Sequence, residues 1–303
     1  MTAFTEDRES VGPVVTSPRV AGREGLRFAL FWGAPSLIWQ SLFFLAPMGF
    51  LVAMTFWSVR SFKLTPDFTL ANWKFIFGAS FFFSAYLYTL KLAVVTAFAA
   101  SIIAFPSAYA LAFAVPAGLR RLFVSMLLVP FFTSYPVRIY SLEIFLSPQG
   151  IVNRALAAAS LAPIHLIGTP TATVIGYLTL SLPVVVLLQT LALTGVDPAL
   201  IEAAHNLRCG RLRTIASVVL PSARTGLIVS AAFAFVLTFG DYIAPLYLGG
   251  SKPPTLSILI ADQVKSGNNW PRASVVAVTM IVTLAAALTV MLGLAYRNPK
   301  GRP

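Results

Sequence analysis

Six long stretches of the chain are almost free of charge, and polar, mostly basic segments separate them. They run from about Phe28 to Trp57, Tyr86 to Phe113, Leu122 to Leu146, Thr171 to Leu193, Thr225 to Leu248 and Ala273 to Tyr296. Each reaches the roughly 20 helical residues needed to cross a hydrocarbon core. The blocks are solid rather than alternating, which predicts helices and argues against a barrel of short strands. The first two blocks are longer than one crossing and contain Pro35, Pro47 and Pro106, so a kink or an interfacial portion is expected in each. The expected fold class is all-α, a polytopic membrane protein with six transmembrane helices.

Composition sharpens this picture. The 303 residues are 57% hydrophobic and 11% charged, with mean hydropathy +0.82, whereas a soluble domain carries about 25% charged residues. The single cysteine, Cys209, rules out an internal disulfide, and with only His165 and His205 beside it no metal or catalytic cluster is expected. The net charge of +12 sits between the apolar blocks without a basic run interleaved with aromatics, so lipid headgroups rather than nucleic acid are the expected anionic partners.

Charge also suggests an orientation. Six crossings put both termini on one side. If that side is cytoplasmic, the inner loops hold thirteen basic residues, among them Arg120, Arg121, Arg208, Arg211, Arg213 and Arg224, against seven in the outer loops, with Lys91 and Arg138 inside spans. The bias favours cytoplasmic termini. Residues 1–27 then form a disordered cytoplasmic tail without the features of a cleavable signal peptide, residues 58–85 a periplasmic loop, and residues 297–303 a second cytoplasmic tail.

The polar segment 196–221, between the fourth and fifth blocks, reads as helix, turn and helix. Asp197 suits an N-cap and Pro198 a first helical position. A narrow apolar stripe of Ile201, Ala204 and Leu207, or of Leu200 and Ala204, follows, Gly210 is available for the turn, and a second short helix is expected from about Arg211 to Val219, ending at Pro221. Ala203 and Ala204 are small enough to let another backbone approach, as a plug entering a groove.

In this segment the chain resembles the permeases of binding-protein-dependent ATP-binding-cassette importers, whose signature is Glu-Ala-Ala, a nearby Gly, then Leu-Pro. Glu202, Ala203 and Ala204 match, as do Leu220 and Pro221. Arg208 stands where the family usually has Gly; an Arg in a left-handed turn costs about 1–2 kcal/mol, so the turn is expected to move to Gly210. Other stretches are similar to the spermidine/putrescine branch of that family: Pro106-Ser107-Ala108-Tyr109-Ala110, Pro130-Phe131-Phe132-Thr133-Ser134 with Arg138 and Tyr140, and Gly240-Asp241-Tyr242 with Pro245 and Leu248-Gly249-Gly250. The resemblance spans about Tyr86 to Tyr296.

The resemblance implies a type I importer permease (MetI-like) fold, with residues 86–296 as the transmembrane domain and 196–221 as a cytoplasmic coupling loop. Glu202, Ala203, Ala204, Gly210, Arg211, Leu220 and Pro221 would engage a cytoplasmic ATPase dimer, Arg211 or Arg213 pairing with its acidic groups. The other implied partners are a second permease subunit, in a heterodimer, and a periplasmic substrate-binding protein. No Gly-x-x-x-x-Gly-Lys-Ser/Thr loop is present, so ATP would be used by the partner and no cofactor by this chain. Asp241, Glu143, Tyr135 and Tyr242 are candidate substrate-path residues, since carboxylates and aromatic faces attract a cationic amine. The alternative is that Asp241 caps a broken helix, Glu143 neutralises Arg138 and the tyrosines form an interfacial belt. An ion-coupled secondary transporter is the rival function, but no convincing internal repeat relates residues 28–146 to 171–296.

Overall fold

The computed structural model describes residues 23–61, 63–250 and 253–297. Residues 1–22 and 298–303, most of the two expected tails, lie outside the described residues. The chain divides into two compact units, residues 1–50 and 51–303. The described part of the first is one helical run: α1 (Arg23–Gln40), a π turn (Ser41–Leu45) and the opening of α2 (Ala46–Met54). Residues 23–27, expected within a disordered tail, are helical, because α1 begins at Arg23. Phe31–Met54 is long and apolar enough to cross a membrane.

The second unit opens with an antiparallel hairpin, β1 (Ser58–Arg60) and β2 (Lys63–Thr65), paired Ser58 to Thr65 and Arg60 to Lys63. Asp67 holds it, accepting a hydrogen bond from Ser58 Oγ at 2.8 Å and pairing with Arg60 at 3.1 Å. The short α3 (Ala71–Gly78) follows, tied back where Asn72 Nδ2 donates to the carbonyls of Thr55 and Trp57.

Three long helices form the centre: α4 (Ser80–Tyr109), α8 (Pro170–Thr194) and α11 (Leu220–Phe239). Their buried faces are built from small residues. On α4 these are Ala85, Ala93, Ala97, Ala100, Ala104 and Ala108, at intervals of three, four or eight. Lipid tails are as apolar as leucine, so burying large side chains between helices gains little there, and close approach of small ones maximises dispersion contacts. Gly226 on α11 is the tightest case: a Cβ there would collide with Ala192 of α8. Polar links cross the same faces, with Gln189 Nε2 donating to Ser101 O at 3.1 Å and the Leu256 N–H donating to Thr89 Oγ1 at 2.9 Å. Buried Thr89, Ser181, Thr190 and Thr238 donate to carbonyls four residues back in their own helices, which satisfies them in a medium without water. α13 (Leu256–Lys265) and α14 (Trp270–Tyr296) pack on this centre.

Two expected spans differ. The block Leu122–Leu146 is not one straight helix: α5 (Ala117–Leu128) and a 3-10 turn (Val129–Phe132) meet α6 (Tyr135–Leu146) at a 90° bend, and α7 (Ile151–Ala158) follows. Pro130 and Pro136 flank the break; hydropathy averages over such a bend and does not register it. The block Thr225–Leu248 is shifted: the span begins at Arg211, runs unbroken through Pro221 to Phe239, and stops at Gly240 before the five-residue α12 (Ile243–Tyr247). Pro221 does not end a helix, because a π turn (Ile215–Val219) ahead of it absorbs the missing N–H. The same device precedes Pro47, and a third π turn (Ala110–Ala114) lies just beyond Pro106. Among the described residues five helices are thus long and apolar enough to cross, six if the bent pair is counted as one span.

Packing at Gly226 gives a direct test. Gly226→Ala should lower stability in detergent by about 1–3 kcal/mol through overpacking, and the double change with Ala192→Gly should recover most of it, read as thermal unfolding midpoints. An unchanged midpoint for Gly226→Ala alone would show that α8 and α11 do not meet this closely.

Candidate functional site

The hairpin after α8 consists of α9 (Pro198–Asn206) and α10 (Arg211–Thr214). Asp197 Oδ1 accepts from the Ala199 N–H at 2.9 Å and Pro198 occupies the first turn, where its missing donor has no consequence. The turn between the helices does not move to Gly210. Arg208 itself takes φ +56°, its N–H donates to His205 O at 2.9 Å, and the Cys209 N–H donates to Ala204 O at 3.0 Å. These two bonds define a Schellman cap with Arg208 in the left-handed position, a place usually given to Gly. Gly210 has φ −65° and ψ 156°, a conformation open to any residue, and opens α10 by accepting from the Thr214 N–H. The cap's two hydrogen bonds and the burial behind it outweigh the side-chain strain at Arg208.

Ala203 is exposed, but Ala204 is 6% exposed, packed inside the hairpin rather than offered outward as expected. Ile201 packs on a buried cluster of Ala108, Leu193, Val196, Val219 and Ala223, which anchors the hairpin to the ends of α4 and α8. At the same end, Arg224 donates to Leu294 O at 2.7 Å and Thr225 to Ala295 O at 3.2 Å, satisfying carbonyls that the last turn of α14 leaves open. Glu202, Arg211, Leu220 and Pro221 are all exposed. So are Leu212 at 83% and Leu207 at 80%, the latter expected on one apolar stripe with Ile201 and Ala204. An apolar period does not say which of its members a neighbour covers: Ile201 packs and Ala204 is buried, whereas Leu207 is exposed.

A second constellation surrounds the break between α5 and α6. Arg138 does not pair with Glu143. Its guanidinium donates to Thr179 O at 3.0 Å, to Thr133 O at 3.3 Å and to Pro130 O. Thr179 is four residues before Pro183, the residue that has no N–H to give it. Arg138 therefore supplies donors to carbonyls at two separate helix irregularities. Glu143 Oε2 is buried with no hydrogen-bond partner among the described residues. A cleft of about 480 Å³ opens here, lined by Pro130, Thr133, Tyr135, Arg138 and Pro183 among others.

Tyr135, at the edge of that cleft, donates to Asp241 Oδ2 at 2.8 Å. The same carboxylate accepts from the N–H groups of Ala244 at 2.9 Å and Ile243 at 3.2 Å. This is helix-capping geometry for α12, reached from a carboxylate in the Gly240–Tyr242 break. The Tyr242 ring faces Lys265, whose Nζ is 5.9 Å from the ring centre. The structure thus joins Tyr135 to Asp241, leaves Glu143 apart on α6, and sets Tyr242 against a cation of its own chain. Beyond α12, Gly250 has φ +63°, and a Cβ there would sit 3.0 Å from Gly168 Cα, so the glycine pair after Leu248 permits two backbones to touch.

A bundle of long apolar helices, with a polar hairpin jutting between two of them and helices broken at proline and glycine, defines a multi-pass membrane permease subunit. Residues 100–300 match the family described as binding-protein-dependent transport system inner membrane component, and the chain belongs to that family. It is an inner-membrane permease of an ATP-binding-cassette importer. It is 28% identical over 225 residues to the spermidine/putrescine transport system permease protein PotB of Escherichia coli, covering 74% of this chain and 81% of that one. It is also 28% identical over 302 residues to the inner membrane ABC transporter permease protein YdcU of Escherichia coli, covering 91% and 95%. Its fold is shared with a chain of a bacterial ABC transporter involved in import of the acidic polysaccharide alginate, at TM-score 0.74, 19% identity and coverage of 92% and 97%.

The Schellman cap yields a sharp expectation. Arg208→Gly relieves about 1–2 kcal/mol of left-handed strain and gives back about 0.4–1 kcal/mol through a looser unfolded chain, so amide exchange in residues 198–214 should slow two- to five-fold. Gly210→Ala should leave exchange there unchanged. A reversed order of the two variants would place the turn at Gly210 after all.

Proposed function

We propose that this chain carries a small amine, a polyamine or a related compound, across the inner membrane after a periplasmic binding protein delivers it, and that a separate ATPase dimer drives the movement by gripping the α9–α10 hairpin. The observation that carries this reading is the hairpin itself: Glu202, Arg211, Leu207 and Leu212 are all exposed on it, and Ile201 fixes it to the ends of the central helices. A force applied there is passed by side-chain packing to α4 and α8, and through Arg224 to α14. In this reading Ala203, Leu220 and Pro221 shape the handle. Gly210 contributes only extended backbone at its tip.

The hairpin faces the cytoplasm in this proposal, and both termini lie on that side, in keeping with the excess of basic residues there. The outer segments, including residues 58–85, then face the periplasm and the binding protein. A second permease subunit, different in sequence, completes the pathway, and this chain uses no cofactor. The amine assignment is supported by the name of the PotB relatives. The Asp241 carboxylate already accepts three hydrogen bonds, so its contribution to an amine path is a negative field more than an open ligand position. Glu143, with a buried oxygen unpartnered among the described residues, is the freer carboxylate.

Two experiments test this. Cys209 is the only cysteine, so a membrane-impermeant maleimide should label inside-out vesicles and spare right-side-out ones; the opposite pattern would remove the hairpin from the ATPase and overturn the proposal. Glu202→Lys should leave insertion intact and abolish transport-linked ATP hydrolysis in a reconstituted complex, whereas wild-type activity in that variant would count against the handle.

A further inference from the structure

A cavity of about 710 Å³ lies between α5 and α8 and shares no lining residue with the hairpin or the Arg138 cleft. Arg120, in the first turn of α5, and the adjacent Arg121 stand at its rim with Thr194, the last residue of α8. Ser125 and Thr190 lie deeper, and Leu187 deeper still, about 10 Å along α8 from Thr194 at the helical rise of 1.5 Å per residue. The lining thus grades from cationic at the ends of two membrane-embedded helices to apolar within the membrane. Neither α5 nor α8 contains an Asp or Glu, and neither arginine has an ion-pair partner among the described residues. Two adjacent guanidiniums without a counter-charge, at headgroup depth and above leucine, match the charge and polarity gradient of an anionic phospholipid.

We propose that this cavity is a binding site for an anionic phospholipid with a hydroxylated headgroup of the phosphatidylglycerol type. Arg120 and Arg121 pair with the phosphate, and Ser125 supplies a further hydroxyl donor. Thr190 and Thr194 line the cavity and give their own hydrogens to Val186 O at 2.7 Å and Leu191 O at 2.9 Å, so acceptor capacity is what their hydroxyls have left for glycerol hydroxyls. The acyl chains run along Leu187, which a free phosphate would leave unused. This site rests only on the membrane placement of the chain and is independent of how transport is energised.

The test is native mass spectrometry of the purified full chain with phosphatidylglycerol and, separately, phosphatidylcholine. Phosphatidylglycerol should be retained roughly ten-fold more strongly, and Arg120→Gln with Arg121→Gln should erase the preference. Arg120→Lys with Arg121→Lys should keep most of it, as should the wild type in the presence of inorganic phosphate at matched concentration. If the Gln pair does not fold, Thr190→Val with Thr194→Val, which removes both hydroxyls, should narrow the preference for phosphatidylglycerol over phosphatidylcholine. Equal retention of both lipids by the wild type, full retention by the Gln pair, or displacement by phosphate alone would overturn the proposal. So would a permease complex in which a second subunit covers α5 and α8 and no phosphatidylglycerol is retained.

Discussion

The arrangement of the second unit depends on finding hydrogen-bond partners for backbone groups that broken helices strand in a medium without water. Arg138 is the central instance. Its guanidinium reaches the carbonyls of Pro130 and Thr133, at the right-angled bend, and of Thr179, left open by Pro183 on a different helix. An unsatisfied carbonyl in hydrocarbon costs several kcal/mol, so one long cation with five donors stabilises two irregularities together. The desolvation of Arg138 is offset by those bonds rather than by a carboxylate, which explains why Glu143 is not its partner.

Asp241 solves the converse problem. The break at Gly240 exposes N–H groups at the start of α12, and the carboxylate accepts two of them while Tyr135 donates a third hydrogen bond from α6. Arg138 and Tyr135 are three residues apart on the same short helix, so α6 carries both the donor for the stranded carbonyls and the tie to the stranded amides. Any movement of α6 must therefore exchange partners at two helix breaks at once, which favours discrete arrangements over gradual deformation.

At the other end of the bundle, the hairpin is rigid for a different reason. Ile201 packs on an apolar cluster, the turn is closed by a full Schellman cap, and Glu202, Leu207, Arg211 and Leu212 are exposed. A projecting element held in this way transmits displacement instead of absorbing it. The π turn at Ile215–Val219 lets the hairpin continue without interruption into α11 despite Pro221, so handle and span form one rod.

Block hydropathy alone determined that the chain is helical and crosses a membrane several times, because the absence of water imposes the same demand on every residue of a span. The Asp197-Pro198 start of α9 was legible for a local reason: capping and the missing proline donor act within one turn. What tertiary structure decided was everything that depends on partners distant in sequence. The bend before Tyr135, the placing of Arg138 on Thr179 some forty residues away, and the burial of Ala204 but not Ala203 are not encoded by any local period. The turn at Arg208 shows the limit most clearly: residue preference pointed to Gly210, but two hydrogen bonds and the apolar cluster behind the hairpin fixed the left-handed residue two places earlier, since they together exceed the strain of one side chain.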